Sequence, residues 1–358
     1  MAASKTPSSV SPSFLHSTRR KFVQYGTMAG VGAHSLLQSG DVKAALFDGK
    51  EAAGLNDPWP EMEYTQLGKT GHNSSRLVFG CGATLSGDAH DDLLDAALDA
   101  GVNTYDVGYK HYYGNAEKNM RKFLQKNGDK IFLISKGAVP VELRVDESIS
   151  MAQAKQAAAG WIGFMEESLR EMQIEHVDAY YYMGQNNVSV ITNEELHRAF
   201  EDAKAKGKVS HLGVSTHENA KNVLDAAAKT GWYSLAMTAI TPGGWYDWED
   251  RAVLPDSPPM KDIKPFLSQV RDSGIGLVGM KAGRFLAGRR WLGWGDPEAF
   301  DKYYDEKLLQ ANLTGFQRSY AYVLQHGVDV VNADMQTLQH LKENFVAAAT
   351  SKTYFDLA

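Results

Sequence analysis

Along residues 64–348, short apolar runs rich in β-branched and aromatic side chains alternate with longer stretches in which apolar residues recur every three or four positions. Runs of the first kind suit strands buried on both faces, and stretches of the second kind suit amphipathic helices. The strand candidates are RLVFGC, VNTYDV, KIFLISK, VDAYYYM, KVSHLGVS, YSLAMTAI, IGLVGMK and VDVVNA. The spacing predicts helices over Asp91–Ala100, Ala116–Lys126, Ala152–Met172, Asn193–Ala205, Glu218–Lys229, Ile263–Asp272, Gly315–Gln325 and Thr337–Ala348. Strand–helix repeats of this number, in roughly the 250 residues the architecture takes, predict an α/β protein built as a single (β/α)8 TIM barrel. The alternative, a doubly wound sheet, wants a glycine-rich turn directly after its first strand, and FGCGAT is not GxGxxG.

Two connections exceed ordinary loop length, one from Thr241 after the sixth strand and one from Ala282 after the seventh. Long βα loops open onto the catalytic face of a barrel. Trp245, Trp248, Trp291 and Trp294 are therefore expected near the mouth, either stacking on a ring-shaped substrate such as a sugar or closing the loops on themselves.

The first stretch follows neither pattern. Thr18-Arg19-Arg20-Lys21-Phe22-Val23 precedes a short, weakly apolar run and then DVKAAL, whose small residues suit a signal peptidase. It resembles a twin-arginine export signal, which implies passage through the twin-arginine translocase to the periplasm or the extracellular space. The expected organisation is a signal peptide at 1–45, a linker at 46–63, a barrel at 64–350 and a tail at 351–358. No run approaches the roughly 18 to 20 apolar residues of a membrane span, so no stable membrane anchor is expected.

Composition narrows the partners. Of 358 residues, 43% are hydrophobic and 22% charged, enough apolar material for a large core. A net charge of -6 and a pI near 6.0 argue against nucleic acid, and no metal-ligand spacing is present in the sequence. The single cysteine, Cys81, excludes an intramolecular disulfide and reads as a small buried residue at a strand end.

The chemistry concentrates in DVGYKHYYGNAEKNM, Asp106 to Met120. Asp106 ends the second strand and Lys136 the third, and the tyrosines follow Asp106, so all reach the catalytic rim of a barrel. A lysine facing a packed interior is costly unless a carboxylate neutralises it, and Asp106 is the obvious partner. A tyrosine beside the ammonium is expected to have its pKa lowered from about 10, which suits proton donation to a carbonyl oxygen.

LGKTG, ALDAGVNTYDVGYKHYYGNAEK, FLISKGA, SLREMQIEHVDAYYY, LGVST, GIGLVGMKAGRF and LKENF together resemble successive landmarks of the aldo-keto reductase superfamily. The resemblance implies a (β/α)8 barrel and hydride transfer between a nicotinamide cofactor and a carbonyl or alcohol, with catalytic Asp106, Lys136 and a tyrosine. Counting forward from Asp106 gives His111, whereas counting back from Gly114 and Glu117 gives Tyr113. The helix side fixes geometry more firmly than the loop, so Tyr113 is the expected acid and His111 the challenger. Tyr109 and Tyr112 are then loop packing or substrate contacts.

The same resemblance places cofactor contacts at Ser215, Thr216, Met237, Met280, Lys281, Asp334, Glu343 and Asn344. Several depart from the family pattern: Met183 replaces the orienting histidine, Thr216 and Met237 replace the carboxamide-binding pair, and Met280 replaces the stacking aromatic. Where the family's NADP-binding members carry lysine and arginine, this chain has Asp334 and His340, which favours NAD over NADP. Locally, Asp334 also reads as a cap for the helix beginning near Thr337. The departures leave a second expectation open, a barrel of the same descent that has lost hydride transfer and serves as a different enzyme or as a carbohydrate-binding protein.

Overall fold

The computed structural model describes residues 58–248, 250–287 and 295–355. The export-signal residues, Trp291 and Trp294 lie outside them. The parallel strands are β1 (Leu77–Gly80), β2 (Thr104–Asp106), β3 (Phe132–Ala138), β4 (Val177–Met183), β5 (Val209–Thr216), β6 (Leu235–Thr241), β7 (Gly276–Met280) and β8 (Val330–Asp334). Each pairs in parallel with the next, β8 pairs with β1, and the sheet closes into a (β/α)8 barrel. The helices cover the outer face of this barrel and side chains fill its interior, which is why runs of Val, Ile, Leu and Tyr are tolerated on both faces.

Helices follow the strands: α1 (Asp91–Asp99), α2 (Arg121–Asn127), α3 (Met151–Met172), α4 (Glu194–Ala205), α5 (Ala220–Thr230), α6 (Met260–Asp272), α7 (Gly315–Gln325) and α8 (Leu338–Ala349). Capping boxes fix two of the starts, Ser150 with Gln153 on α3 and Thr314 with Gln317 on α7. The helix expected over Ala116–Lys126 is broken at Met120 into a short turn, Ala116–Asn119, and α2. The N-terminal end of the barrel is closed by a hairpin, Tyr64–Gln66 paired with Asn73–Ser75, and fully buried Leu67 joins the interior cluster with Val78, Leu235 and Val278.

The segments flanking the expected barrel also pack on it. Trp59 sets its ring edge-on to Phe345 on α8, and Ser351 accepts a hydrogen bond from Gln325 of α7. After β6 the chain adds an antiparallel strand, Gly244–Asp247, paired with β6 and with Ala252–Val253. This hairpin carries two of the tryptophans expected at the mouth.

Candidate functional site

The closed barrel brings the ends of β2 and β3 side by side, with Asp106 opposite Ile134 in the ladder and Lys136 two residues further along. Both side chains are 5% exposed. The Lys136 ammonium donates to Asp106 Oδ1 at 2.6 Å and Oδ2 at 2.5 Å. Buried charges of either sign alone would be prohibitive, and together they neutralise one another. A third donor, the Asn332 amide of β8, reaches Asp106 Oδ2 at 2.6 Å. Asn332 was not among the residues singled out from the sequence.

Beyond β2 the chain stays zipped to β3, with Val107 N–H donating to Ile134 O and Tyr109 N–H to Lys136 O. It then winds into one helical turn, Lys110–Tyr113, which ends at Gly114 with φ +60°. Residues two apart on such a turn do not share a side. Tyr113 faces inward, its ring centroid 5.5 Å from Lys136 Nζ. His111 faces outward, where its Nε2 lies 2.7 Å from Glu167 of α3 and its side chain is 49% exposed. The structure therefore brings Tyr113, and not His111, to the Asp106–Lys136 pair.

The Tyr113 ring lies between two glycines. A Cβ on Gly82 would fall 2.4 Å from Tyr113 Cε1, and one on Gly108 would fall 2.7 Å from Cδ2. The loops after β1 and β2 are thus bare where the phenol passes between them. Tyr109 is packing, edge-on to Phe164, and Tyr112 sets its ring edge-on to Tyr113.

The expected lowering of the phenol pKa does not hold in this arrangement. Burial raises the Tyr113 pKa well above its ordinary value, and Tyr112 and Asp106 add to the rise. The reason is that Lys136 is committed to Asp106, so the pair presents little net positive charge to the ring. Tyr113 is accordingly a protonated phenol at neutral pH. Cys81 is fully buried next to the end of β1, and burial pushes its thiol up as well.

The remaining residues fall into two groups. Ser215 Oγ accepts the Gly184 N–H at 2.9 Å, which leaves its own O–H to donate. Lys281 follows β7 in the left-handed region, φ +69°, with Nζ 4.0 Å from the Trp248 ring centroid. Burial, reinforced by neighbouring Arg284, pushes its ammonium down to about 8. These groups fit an anionic diphosphate and a carboxamide. Thr216 and Met237 do not project the same way: Thr216 Oγ1 donates to Asn186 Oδ1 at 2.8 Å, and Met237 is a fully interior side chain whose Sδ accepts from Asn332. Met280 belongs to the same interior cluster, alongside Tyr246 and Trp248. Trp245 instead turns away and packs edge-on to Phe266 of α6.

On β8, Asp334 Oδ1 accepts the Thr84 hydroxyl at 2.6 Å and the Thr84 N–H at 3.0 Å. Asp334 is exposed at the end of β8, and partial desolvation by the protein around it raises its pKa. It does not cap α8, because Thr337 takes that place, its hydroxyl accepting from His340 N. On α8, Glu343 and Asn344 are both buried, and Glu343 Oε1 accepts the Thr314 hydroxyl at 2.5 Å. The Glu343 carboxylate thus ties α8 to the start of α7.

A closed parallel barrel with a buried Asp–Lys pair and a tyrosine on its C-terminal rim defines a class of protein, and the comparisons support the aldo-keto reductase superfamily. Residues 77–241 match the Aldo/keto reductase family. The chain is 27% identical over 170 residues to "Uncharacterized oxidoreductase YrpG" of Bacillus subtilis, covering 43% of this chain and 49% of that protein. It is 22% identical over 197 residues to "Versiconal hemiacetal acetate reductase" of Aspergillus parasiticus, covering 49% of this chain and 57% of that one. The chain thus spans about half the length of these curated relatives. A solved structure titled "Putative aldo-keto reductase from Pseudomona aeruginosa" superposes with a TM-score of 0.56 at 18% identity, covering 82% of this chain and 97% of that one, a likeness of fold alone. Both relatives carry oxidoreductase or reductase names.

Proposed function

We propose that this protein moves a hydride between a nicotinamide cofactor and a carbonyl or alcohol, with Tyr113 as the acid and base. The observation that carries the reading is the Tyr113 phenol, held protonated between Gly82 and Gly108 beside the neutralised Asp106–Lys136 pair. In reduction, a proton must reach the carbonyl oxygen as negative charge develops there, and a half-buried phenol that stays protonated at neutral pH is suited to give it. Asp106 and Lys136 hold one another in place beside the ring, a neutral pair that leaves the phenol protonated until a carbonyl oxygen takes its proton. Met183 offers no hydrogen-bond donor, so the developing oxyanion depends on Tyr113.

When bound, the nicotinamide supplies or accepts the hydride. Ser215 is suited to its carboxamide and Lys281 to its diphosphate, while Asp334 favours NAD over NADP. The substrate proposed is a ring-bearing carbonyl or alcohol such as a sugar, because Trp248, with Lys281 over one face of its ring, is a half-buried aromatic on the long loop after β6. We further propose export through the twin-arginine translocase, resting on Arg19 and Arg20, to the periplasm or beyond. Free dinucleotide is scarce there, so the cofactor stays bound and a second substrate resets it. The test is nicotinamide-linked turnover of a panel of sugars and aldehydes by the purified protein. Turnover that survives Tyr113→Phe unchanged would remove the reading.

A second reading has its own support. Thr216 and Met237 are engaged with internal partners, which weakens the ring pocket and fits a barrel that has lost hydride transfer. Failure to bind any dinucleotide would favour it.

A further inference from the structure

We propose that Asn332 is a positioning residue for the proposed reaction, fixing the Asp106 carboxylate so that Lys136 is presented to Tyr113; the assignment rests on the oxidoreductase reading. Asn332 sits on β8 and Asp106 on β2, with β1 between them and 226 residues of chain separating the pair. A side chain crosses an intervening strand only where that strand is bare. Here β1 ends in Gly80, paired with Asp334 on one side and Asp106 on the other. A Cβ on Gly80 would fall 2.6 Å from Asn332 Oδ1, so glycine is what admits the carboxamide.

The contact is a charge-assisted one, Nδ2 to Oδ2 at 2.6 Å, and the same nitrogen approaches Met237 Sδ at 3.7 Å. Asp106, Met237 and Asn332 come from β2, β6 and β8, alternate strands whose inward residues share layers of a barrel interior. Such layers are ordinarily apolar, and an amide placed in one costs stability unless it is satisfied. Its partner here is the carboxylate at the centre of the site. Asp106 Oδ2 receives Lys136 and Asn332 together, so the two donors fix its plane and with it the direction of the ammonium. Without Asn332 only Lys136 is left to hold the carboxylate, the pair can shift together, and displacements of about 1 Å at such a site cost on the order of 100-fold in rate.

The experiment is a double-mutant cycle on the purified full chain, comparing Asn332→Leu, Asp106→Asn and the pair in steady-state kinetics and thermal unfolding. In Asn332→Leu, kcat is expected to fall roughly 10- to 100-fold with KM little changed. In the Asp106→Asn background the same substitution is expected to cost almost nothing further. Unchanged kcat in Asn332→Leu, or losses that simply multiply in the double variant, overturns the assignment. Should Asn332→Leu fail to fold, Asn332→Ala removes the same carboxamide without added bulk and is held to the same outcomes. A wild-type protein inert with every carbonyl and alcohol sinks the oxidoreductase reading itself. In that event coupled unfolding midpoints leave Asn332 a structural partner only, and additive midpoints deny even the bond.

Discussion

The Lys136 ammonium lies 5.5 Å from the centre of the Tyr113 ring and is at the same time bonded to both oxygens of Asp106. The ring therefore meets a cation whose charge is already balanced, and its own burial decides its protonation. Tyr113→Phe keeps the ring between its glycines and removes only the hydroxyl. Turnover is expected to fall by roughly 10² to 10⁴, the usual contribution of general acid catalysis, with substrate affinity little altered. His111→Ala, on the outer side of the same turn, is expected to leave kcat within a few-fold of wild type. Steady-state kinetics of the two variants decide between the residues that the spacing alone left in competition.

The glycines flanking the phenol make a separate claim. Alanine at Gly82 or Gly108 places a methyl 2.4 Å or 2.7 Å from carbon atoms of the Tyr113 ring, far inside contact distance. Either the ring or the glycine's loop must shift. Overpacking of this kind costs about 1–3 kcal/mol of stability, and the displaced hydroxyl should lower kcat as well. In Tyr113→Ala, which empties the slot, Gly82→Ala should no longer lower the unfolding midpoint. A persistent loss in that background would mean the collision is with something else.

Much of this was legible because local chemistry and global fold agree. Strand ends carrying Asp106 and Lys136 could be placed on one rim as soon as the repeat number predicted a barrel. The loop between Asp106 and Gly114 resisted, since a count along the chain does not show where a helical turn begins, and that start decides which of His111 and Tyr113 points inward. Asn332 left a faint signal, one amide in the apolar run VDVVNA, but its partner becomes a neighbour only after closure of the barrel. The alternative local reading of Asp334 as a cap fails for the opposite reason: Thr337 stands nearer the helix start, and the carboxylate finds Thr84 across the rim.

Glu117, in the turn just past Tyr113, supplies a prediction about pH. It is 1% exposed, and its Oε1 accepts the Ser135 hydroxyl at 2.8 Å. Burial pushes its pKa up to about 7, with nearby Glu171 and Glu167 acting in the same direction. An acid whose folded pKa lies above its unfolded value of about 4.3 holds its proton better when folded. Folding stability from this group therefore declines as pH rises from about 4 to about 7, and the full cost, on the order of 3 kcal/mol, is present above that window. Glu117→Gln removes the ionisation while keeping an oxygen for Ser135. Its unfolding midpoint, measured against wild type, should be higher at pH 8 and gain little at pH 4. An equal gain at both pH values would show that packing rather than charge is responsible.

On the function proposed above, the choice of dinucleotide turns on Asp334. Its Oδ1 is held by the hydroxyl and N–H of Thr84, so the carboxylate is anchored and cannot swing away from an incoming group. Desolvation raises its pKa, while Lys281 and the Thr84 hydrogen bonds oppose the rise. An anchored carboxylate repels a 2′-phosphate, whereas its remaining acceptor capacity suits a ribose 2′-hydroxyl. His340, the second position at which a cation would answer that phosphate, has its pKa lowered by burial, and a neutral imidazole gives no bidentate charged contact. NAD is therefore expected to bind at least tenfold more tightly than NADP, a difference of about 1.4 kcal/mol. Asp334→Asn keeps an acceptor for Thr84 and removes the charge, so it should narrow the ratio chiefly by improving NADP. Titration of both dinucleotides into cofactor-free wild type and variant reads this directly. NADP binding as tight as NAD in the wild type, or a ratio untouched by Asp334→Asn, would place the 2′ position away from this carboxylate.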